Sequence, residues 1–324
     1  MLRILFVAVT ALIASIHVVA SASAQTYPQR TVKFILPFGP ASGTDITARL
    51  VADRLAARWG KATVVENRPG GDGLVAINAF IAANDDHTLL WVPVGTFAVH
   101  PFDKDKLPYD AERDLVPVAN VSSLFLAAST STALKVGSLR EFVELVRASP
   151  GKFNWAAANG NADFLMSGFL KTNNLEMAKV PYRDIMQGPN DLAENRIQLL
   201  SSSLAIVTPL MQAGKVKVMA VTGRRRAPSA PDVPTVREAG YPALEMESIG
   251  GIFGPRGMPL AIREQIAADV RAAVASDPSI ATKLESTGQV VDVRGPVEFA
   301  AGIKELQDQL AGIAKVLGMK KAAQ

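Results

Sequence analysis

Hydrophobic and polar positions along this 324-residue chain keep switching between two periods. Short apolar runs at 32–36, 63–66, 88–94, 121–128, 153–157, 195–200, 217–221 and 246–253 predict buried strands, and 179–183 and 291–293 add two shorter ones. Between them the period lengthens to that of a helix. Ala48, Val51, Leu55 and Trp59 fall on one stripe that Gly60 ends, with Thr44 and Asp45 as N-cap candidates. Leu74, Ile77 and Phe80 mark a second helix, 74–83. The capping box Ser138…Glu141 opens a third, and 164–171 is a fourth. Near the end, 260–276 buries Ile262, Ile266 and Val270, Asp277 caps a shorter helix, and Pro296 opens a long one. In that last helix Phe299, Ile303, Leu306, Leu310, Ile313 and Leu317 share one stripe, the mark of packing against a core.

Strands alternating with helices predict an α/β fold built on parallel, doubly wound sheets, where ligands collect at the carboxyl ends of strands. The first such end is Phe38-Gly-Pro-Ala-Ser-Gly-Thr-Asp45, a small-residue loop between a strand and a helix N-terminus. Free first-turn amides and the helix dipole make such a place suited to an anion. The loop lacks the lysine of a phosphate loop and is a residue short, so a carboxylate held by backbone amides is one reading. An ordinary strand-to-helix turn is the other. The Gly95-Thr96-Phe97 segment should stand at the same rim. The stretch Ala158-Asn159-Gly160-Asn161-Ala162-Asp163 repeats the architecture, as an anion loop or as plain cap and turn residues. The glycine-rich run 70–73 fits no nucleotide fingerprint and is read as a structural turn.

Residues 1–24 have the pattern of a signal peptide: Arg3, an apolar stretch, then Ala22-Ser23-Ala24 before Gln25. Export to the periplasm as a freely soluble protein follows. The remaining length, about 300 residues, suits two domains. The chain has no cysteine, which removes disulfides, thiol catalysis and thiolate metal sites. The net charge of +4, or +3 without Arg3, suggests neither nucleic acid nor a membrane surface as partner. Arg224-Arg225-Arg226 is the one clear basic cluster and reads as a solvated face, or as a docking patch. Ser201-Ser202-Ser203 invites a nucleophile, but no Gly-x-Ser-x-Gly elbow surrounds it. His87, in the polar turn Asp85-Asp86-His87, is expected to be solvated, while His100 could reach the cleft. Beyond the signal-peptide stretch only two histidines remain, too few for a zinc site, and no cofactor is expected.

Several blocks in order then resemble one family: 32–38 with Thr44-Asp45, Val64-Val-Glu-Asn-Arg-Pro-Gly70, Leu107-Pro-Tyr-Asp110, Val180-Pro-Tyr182, Ala220-Val-Thr222 and Pro231-Asp-Val-Pro-Thr-Val-Arg-Glu-Ala-Gly240. The chain is similar to the Bug proteins, extracytoplasmic solute-binding proteins of tripartite tricarboxylate transporters. The resemblance implies a two-lobed Venus-flytrap fold, with 25–124 and 247–324 forming one lobe and 125–246 the other. It also implies a small organic carboxylate between the lobes and membrane permease subunits as partners. A monomer is expected. The ligand would be held at Phe38, Gly39, Pro40, Ala41, Ser42, Gly43, Thr44 and Asp45, and at Gly95, Thr96 and Phe97. The facing lobe would add Asn159, Gly160, Asn161, Ala162 and Asp163, with Ser202 and Ser203. No residue is assigned to catalysis or to a metal.

Departures from the family pattern fall in these loops. Ala41 and Ser42 stand where the family has two glycines, Phe97 where a histidine is common, and Asp163 where a carboxylate ligand would meet a like charge. The ligand is therefore expected to be a dicarboxylate, a tricarboxylate or, with Phe38 and Phe97 at the mouth, an aromatic acid. A ligand sensor docking on a membrane sensor kinase is an alternative role. A periplasmic hydrolase using Ser202 or Ser203 with His100 is another, and it lacks an assembled constellation.

Overall fold

The computed structural model describes residues 27–158, 160–182 and 184–322. Residues 1–24, expected above to be a signal peptide, and Asn159 lie outside the described residues. The apolar run Val32–Leu36 forms β1, and Ser42 caps α1 (Gly43–Trp59) by accepting from the Asp45 amide. Then come β2 (Thr63–Asn67), α2 (Leu74–Ala83), β3 (Thr88–Pro93) and α3 (Val94–Ala98). One-turn helices at His100–Asp103 and Ala111–Asp114 carry the chain to β4 (Val116–Leu124).

After Phe125 the chain enters a second sheet. Its elements are β5 (Leu126–Ser131), α4 (Leu139–Ala148), β6 (Phe153–Ala157), α5 (Asn161–Thr172) and β7 (Met177–Lys179). After them come β8 (Leu199–Ser203), α6 (Leu204–Gln212) and β9 (Val216–Val221). The return strand β10 (Ser248–Gly254) leads to α7 (Leu260–Ala275), α8 (Pro278–Ser286), β11 (Gln289–Arg294) and α9 (Pro296–Leu317).

The sheet orders are β11-β4-β10-β3-β1-β2 and β7-β6-β8-β5-β9, so two lobes of α/β structure are joined by strands that run from one into the other. The sheets are mixed. β1 is parallel to β2 and β3, and β6 to β7 and β8, but β10, β11 and β5 run antiparallel to their neighbours. The reason is connectivity. β5 and β10 arrive from the other lobe without a βαβ crossover to turn them parallel, and β11, which follows β10 through two helices, pairs with the same β4 in the same sense as β10.

A core of Phe97, Phe253, Phe299, Leu306 and Leu310 from the first lobe runs on into Trp155, Phe164, Leu165 and Phe169 of the second. The bridge is α9 against α5, so close that a Cβ on Gly168 would lie 2.7 Å from Ile313 Cγ2.

Three local expectations change. The strand placed at 195–200 begins at Leu199, because the Arg196 and Ile197 amides both donate to the Asp191 carbonyl and Asn195 is left-handed at φ 58°. The strand placed at 179–183 ends at Lys179. His87 is buried: its Nε2 accepts from the Gln29 amide at 3.0 Å, and Nδ1 pairs with Asp86 at 2.6 Å.

Candidate functional site

Between the lobes lies a cleft of about 770 Å³. One wall comes from the first lobe: Pro37 and Phe38 after β1, the Gly70–Gly73 loop, Gly95 and Thr96 in α3, His100, Asp103 and Lys104. The other comes from Ala158, the start of α5 (Gly160 to Phe164) and Ser203 at the start of α6. Leu124, Leu126 and Ser248 line it where the chain crosses between sheets.

Three helices of two turns or more therefore begin on lining residues, α2 after Gly73, α5 after Gly160 and α6 after Ser203, and the short α3 begins there too, after Pro93. Each helix start leaves first-turn amides without intrahelical acceptors. Ser203 Oγ takes up one of them, the Ala205 amide, at 3.3 Å.

Of the residues expected at the site, Phe38, Gly95, Thr96, Gly160, Asn161, Ala162, Asp163 and Ser203 line the cleft. Gly39, Pro40, Ala41, Ser42, Gly43, Thr44 and Asp45 are not among the lining residues. Their loop turns back on itself. Asp45, 2 % exposed, accepts from the Ala41 amide at 2.9 Å and from Asn67 Nδ2 at 2.8 Å, and Arg49 Nε donates to it at 3.0 Å. Asn67 Nδ2 also donates to the Phe38 carbonyl at 2.9 Å, which fixes Phe38 at the wall. Burial pushes the Asp45 carboxyl up, but the bonds from Arg49, Asn67 and Ala41 outweigh it and hold it below the usual carboxylate range.

Phe97 is not at the mouth. Its ring is 2 % exposed and meets Phe253 edge-on at 5.4 Å, because it sits on the core face of a helical turn. Ser202 is fully buried, and its hydroxyl donates to the Ser203 carbonyl at 3.4 Å. Strand alternation sends Ser202 and Ser203 to opposite faces, so only one of the pair can reach the cleft.

Sequence reasoning passed over the Gly70–Gly73 loop. Gly70, Gly71, Asp72 and Gly73 all have positive φ, and a Cβ on Gly73 would lie 2.7 Å from Thr96 Cγ2. The loop is thus pressed against α3 and forms part of the wall. The glycine run was the available signal. Its carbonyl at Asp72 accepts from His100 Nε2 at 3.0 Å, while Tyr109 donates to His100 Nδ1 at 2.7 Å. Burial depresses the basicity of His100 and keeps it neutral. Both ring nitrogens are occupied, so His100 serves no serine as a base. Lys104 Nζ reaches Asp72 at 2.8 Å and Asp103 at 3.0 Å. Asp163 pairs with Lys179 at 2.7 Å.

The family model described as "Tripartite tricarboxylate transporter family receptor" matches residues 47–309. The chain belongs to this family. Among relatives, Protein BugT of Bordetella pertussis is 28 % identical over 296 residues, 86 % of this chain and 91 % of that one. Among solved structures, MatC from Rhodopseudomonas palustris with bound malate superposes with a TM-score of 0.75 at 27 % identity, covering 89 % of this chain and 99 % of that one. Rpa4515 of R. palustris with adipate gives 0.76 at 26 %, covering 91 % and 99 %. The resemblance to Bug proteins is thereby borne out, as is the two-lobed fold. The receptor is a transport protein, not an enzyme. Among its described residues, no helix is long and apolar enough to cross a membrane.

Proposed function

We propose that this receptor captures a small organic carboxylate in the periplasm and passes it to membrane permease subunits of a tripartite transporter. The observation that carries the reading is the start of α2, α5 and α6 on one cleft, which brings three positive dipole ends to it, with first-turn amides of α5 and α6, while the Leu74 and Val75 amides of α2 donate to the Gly71 and Gly70 carbonyls. Thr96 and Ser248 stand ready with hydroxyls, and Leu124, Leu126 and Phe164 give the ligand's carbon skeleton an apolar wall. The malate and adipate held by the two R. palustris proteins are ligands of this class. The lobes that close are taken as 25–124 with 247–324 and 125–246, hinged where β4 passes into β5 and where β10 returns.

Calorimetric titration and thermal melting of the mature chain against a carboxylate library test this. A ligand at a hundredfold excess over its Kd should stabilise the receptor by about 2.7 kcal/mol. Neutral sugars should leave the midpoint unmoved. Silence from every carboxylate would overturn the reading.

A further inference from the structure

Helix α5 follows β6 of the second sheet, yet one of its faces rests on the first lobe. Asn161 Nδ2 bonds Ser248 Oγ, and the Phe164 ring stands 5.9 Å from that of Phe102. Gly168 then meets Ile313 of α9, where a Cβ would come within 2.7 Å of Ile313 Cγ2. Positions 161, 164 and 168 lie three and four apart, so they share one side of the helix. Asn161 and Phe164 line the cleft, whereas Gly168 and Ile313 do not.

Helix α9 presents two faces of its own. Phe299, Leu306 and Leu310 are buried in the core. Glu305, Gln309 and Ile313, four apart, turn towards the second lobe instead. Glu305 pairs with Arg224 after β9, and Ile313 packs on Gly168. A groove of about 360 Å³ runs beside this contact, with Gly168, Thr172 and Pro242 on one side and Gln309, Ile313 and Val316 on the other. It leaves α5 room to shift on α9 without tearing the core.

We infer that the contact of Gly168 with Ile313 sets how closely the lobes approach, so that Ile313 is a positioning residue that tunes ligand affinity from outside the cleft. The inference rests on the receptor reading above and adds a control to the same site. Isoleucine is stiff at χ1 in a helix, so its Cγ2 methyl does not swing aside, and only a bare Cα at 168 lets α5 come so near. A helix carries a displacement along its length, and Asn161 at the cleft is about 10 Å from Gly168 on the same rod. When the close approach is disfavoured, every ligand loses affinity by the same factor, because the competent fraction scales each constant alike.

Gly168→Ala tests this, alone and in an Ile313→Ala background that lacks the opposing methyl. Alanine forms helix better than glycine, so the melting point without ligand should not fall. The chain has no cysteine, so spin labels at Lys61→Cys and Glu144→Cys, exposed positions on the two lobes, report the lobe separation with no ligand present. Gly168→Ala should change that distance distribution in the otherwise native chain and leave it unchanged in the Ile313→Ala background. Malate and adipate, titrated calorimetrically, should each weaken about tenfold on Gly168→Ala and keep their order. An unchanged distribution, the same change in both backgrounds, or unequal losses for the two acids would overturn the inference. If the distances respond as expected while the native receptor binds no carboxylate, the positioning role of Ile313 stands and the carboxylate reading falls.

Discussion

Asn161 Nδ2 donates to Ser248 Oγ at 3.1 Å, a buried bond that ties the first residue of α5 in one lobe to the first residue of β10 in the other. Next to it the first lobe presents only the bare backbone of Gly95 to Asn161 and Gly160. A Cβ on Gly95 would stand 2.7 Å from Asn161 Cγ, and one on Gly160 would stand 3.1 Å from the Gly95 carbonyl oxygen. Small residues therefore set how far the cleft can shut.

Gly95→Ala should act on closure. Overpacking costs about 1–3 kcal/mol when the neighbours cannot yield, and here the lobes can relieve it by parting. Ligand affinity should fall about tenfold while the melting point without ligand barely moves. Titration and melting of the same sample read both quantities. Equal affinity in the variant would show that the contact does not limit closure.

Asp45 holds the loop that places Phe38. Asp45→Ala removes a buried acceptor used by the Ala41 amide, Asn67 and Arg49, and should lower stability by about 1–3 kcal/mol. Its carboxyl is held low in the folded chain, so its contribution is complete above the unfolded carboxylate range and is lost as pH falls through the folded value. Urea unfolding of native protein and Asp45→Asn should therefore differ at pH 7 and converge in strong acid. A constant gap across that range would refute the assignment.

Ala41 is left-handed at φ 65° and its loop faces away from the lining residues. Ala41→Gly should raise stability by about 1 kcal/mol and leave ligand affinity unchanged. A gain in affinity instead would put this loop back in contact with the ligand.

His100 is kept neutral by burial, between Tyr109 and the Asp72 carbonyl. Its basicity is lower folded than unfolded, so its contribution is full above about pH 6.5 and fades as pH drops towards the folded value. His100→Gln should flatten the stability profile between about pH 5 and 7. Tyr109→Phe, which leaves Nδ1 without its donor, should cost about 1–3 kcal/mol at neutral pH.

Phe97→Ala should destabilise by about 3–5 kcal/mol, as for a ring removed from a packed core. Its ranking of ligands should match that of the native receptor, since the ring touches Phe253 and not the cleft. A changed ranking at native-like stability would contradict its core position.

Much of this architecture was legible in the residues alone, because it rests on local pattern. The stripe from Phe299 to Leu310, the capping box at Ser138 and the apolar run of β1 each specify their element within a few turns of chain. The helix after Gly160 was legible as 164–171, three residues short of its start at Asn161, while α6 after Ser203, with Pro209 inside it, was not foreseen. Which wall a loop joins was not legible either. The Phe38–Asp45 loop folds back onto Asn67, 22 positions from Asp45, and only Phe38 reaches the cleft. The Gly70–Gly73 turn, His100 and Lys104 come from separate stretches and meet through hydrogen bonds and an ion pair spanning about 30 residues, a distance no periodicity can record. Sequence determined most of the elements and the family. Which charged groups line the cleft was decided by tertiary structure, because Lys104 meets Asp72 only where two separate stretches fold together.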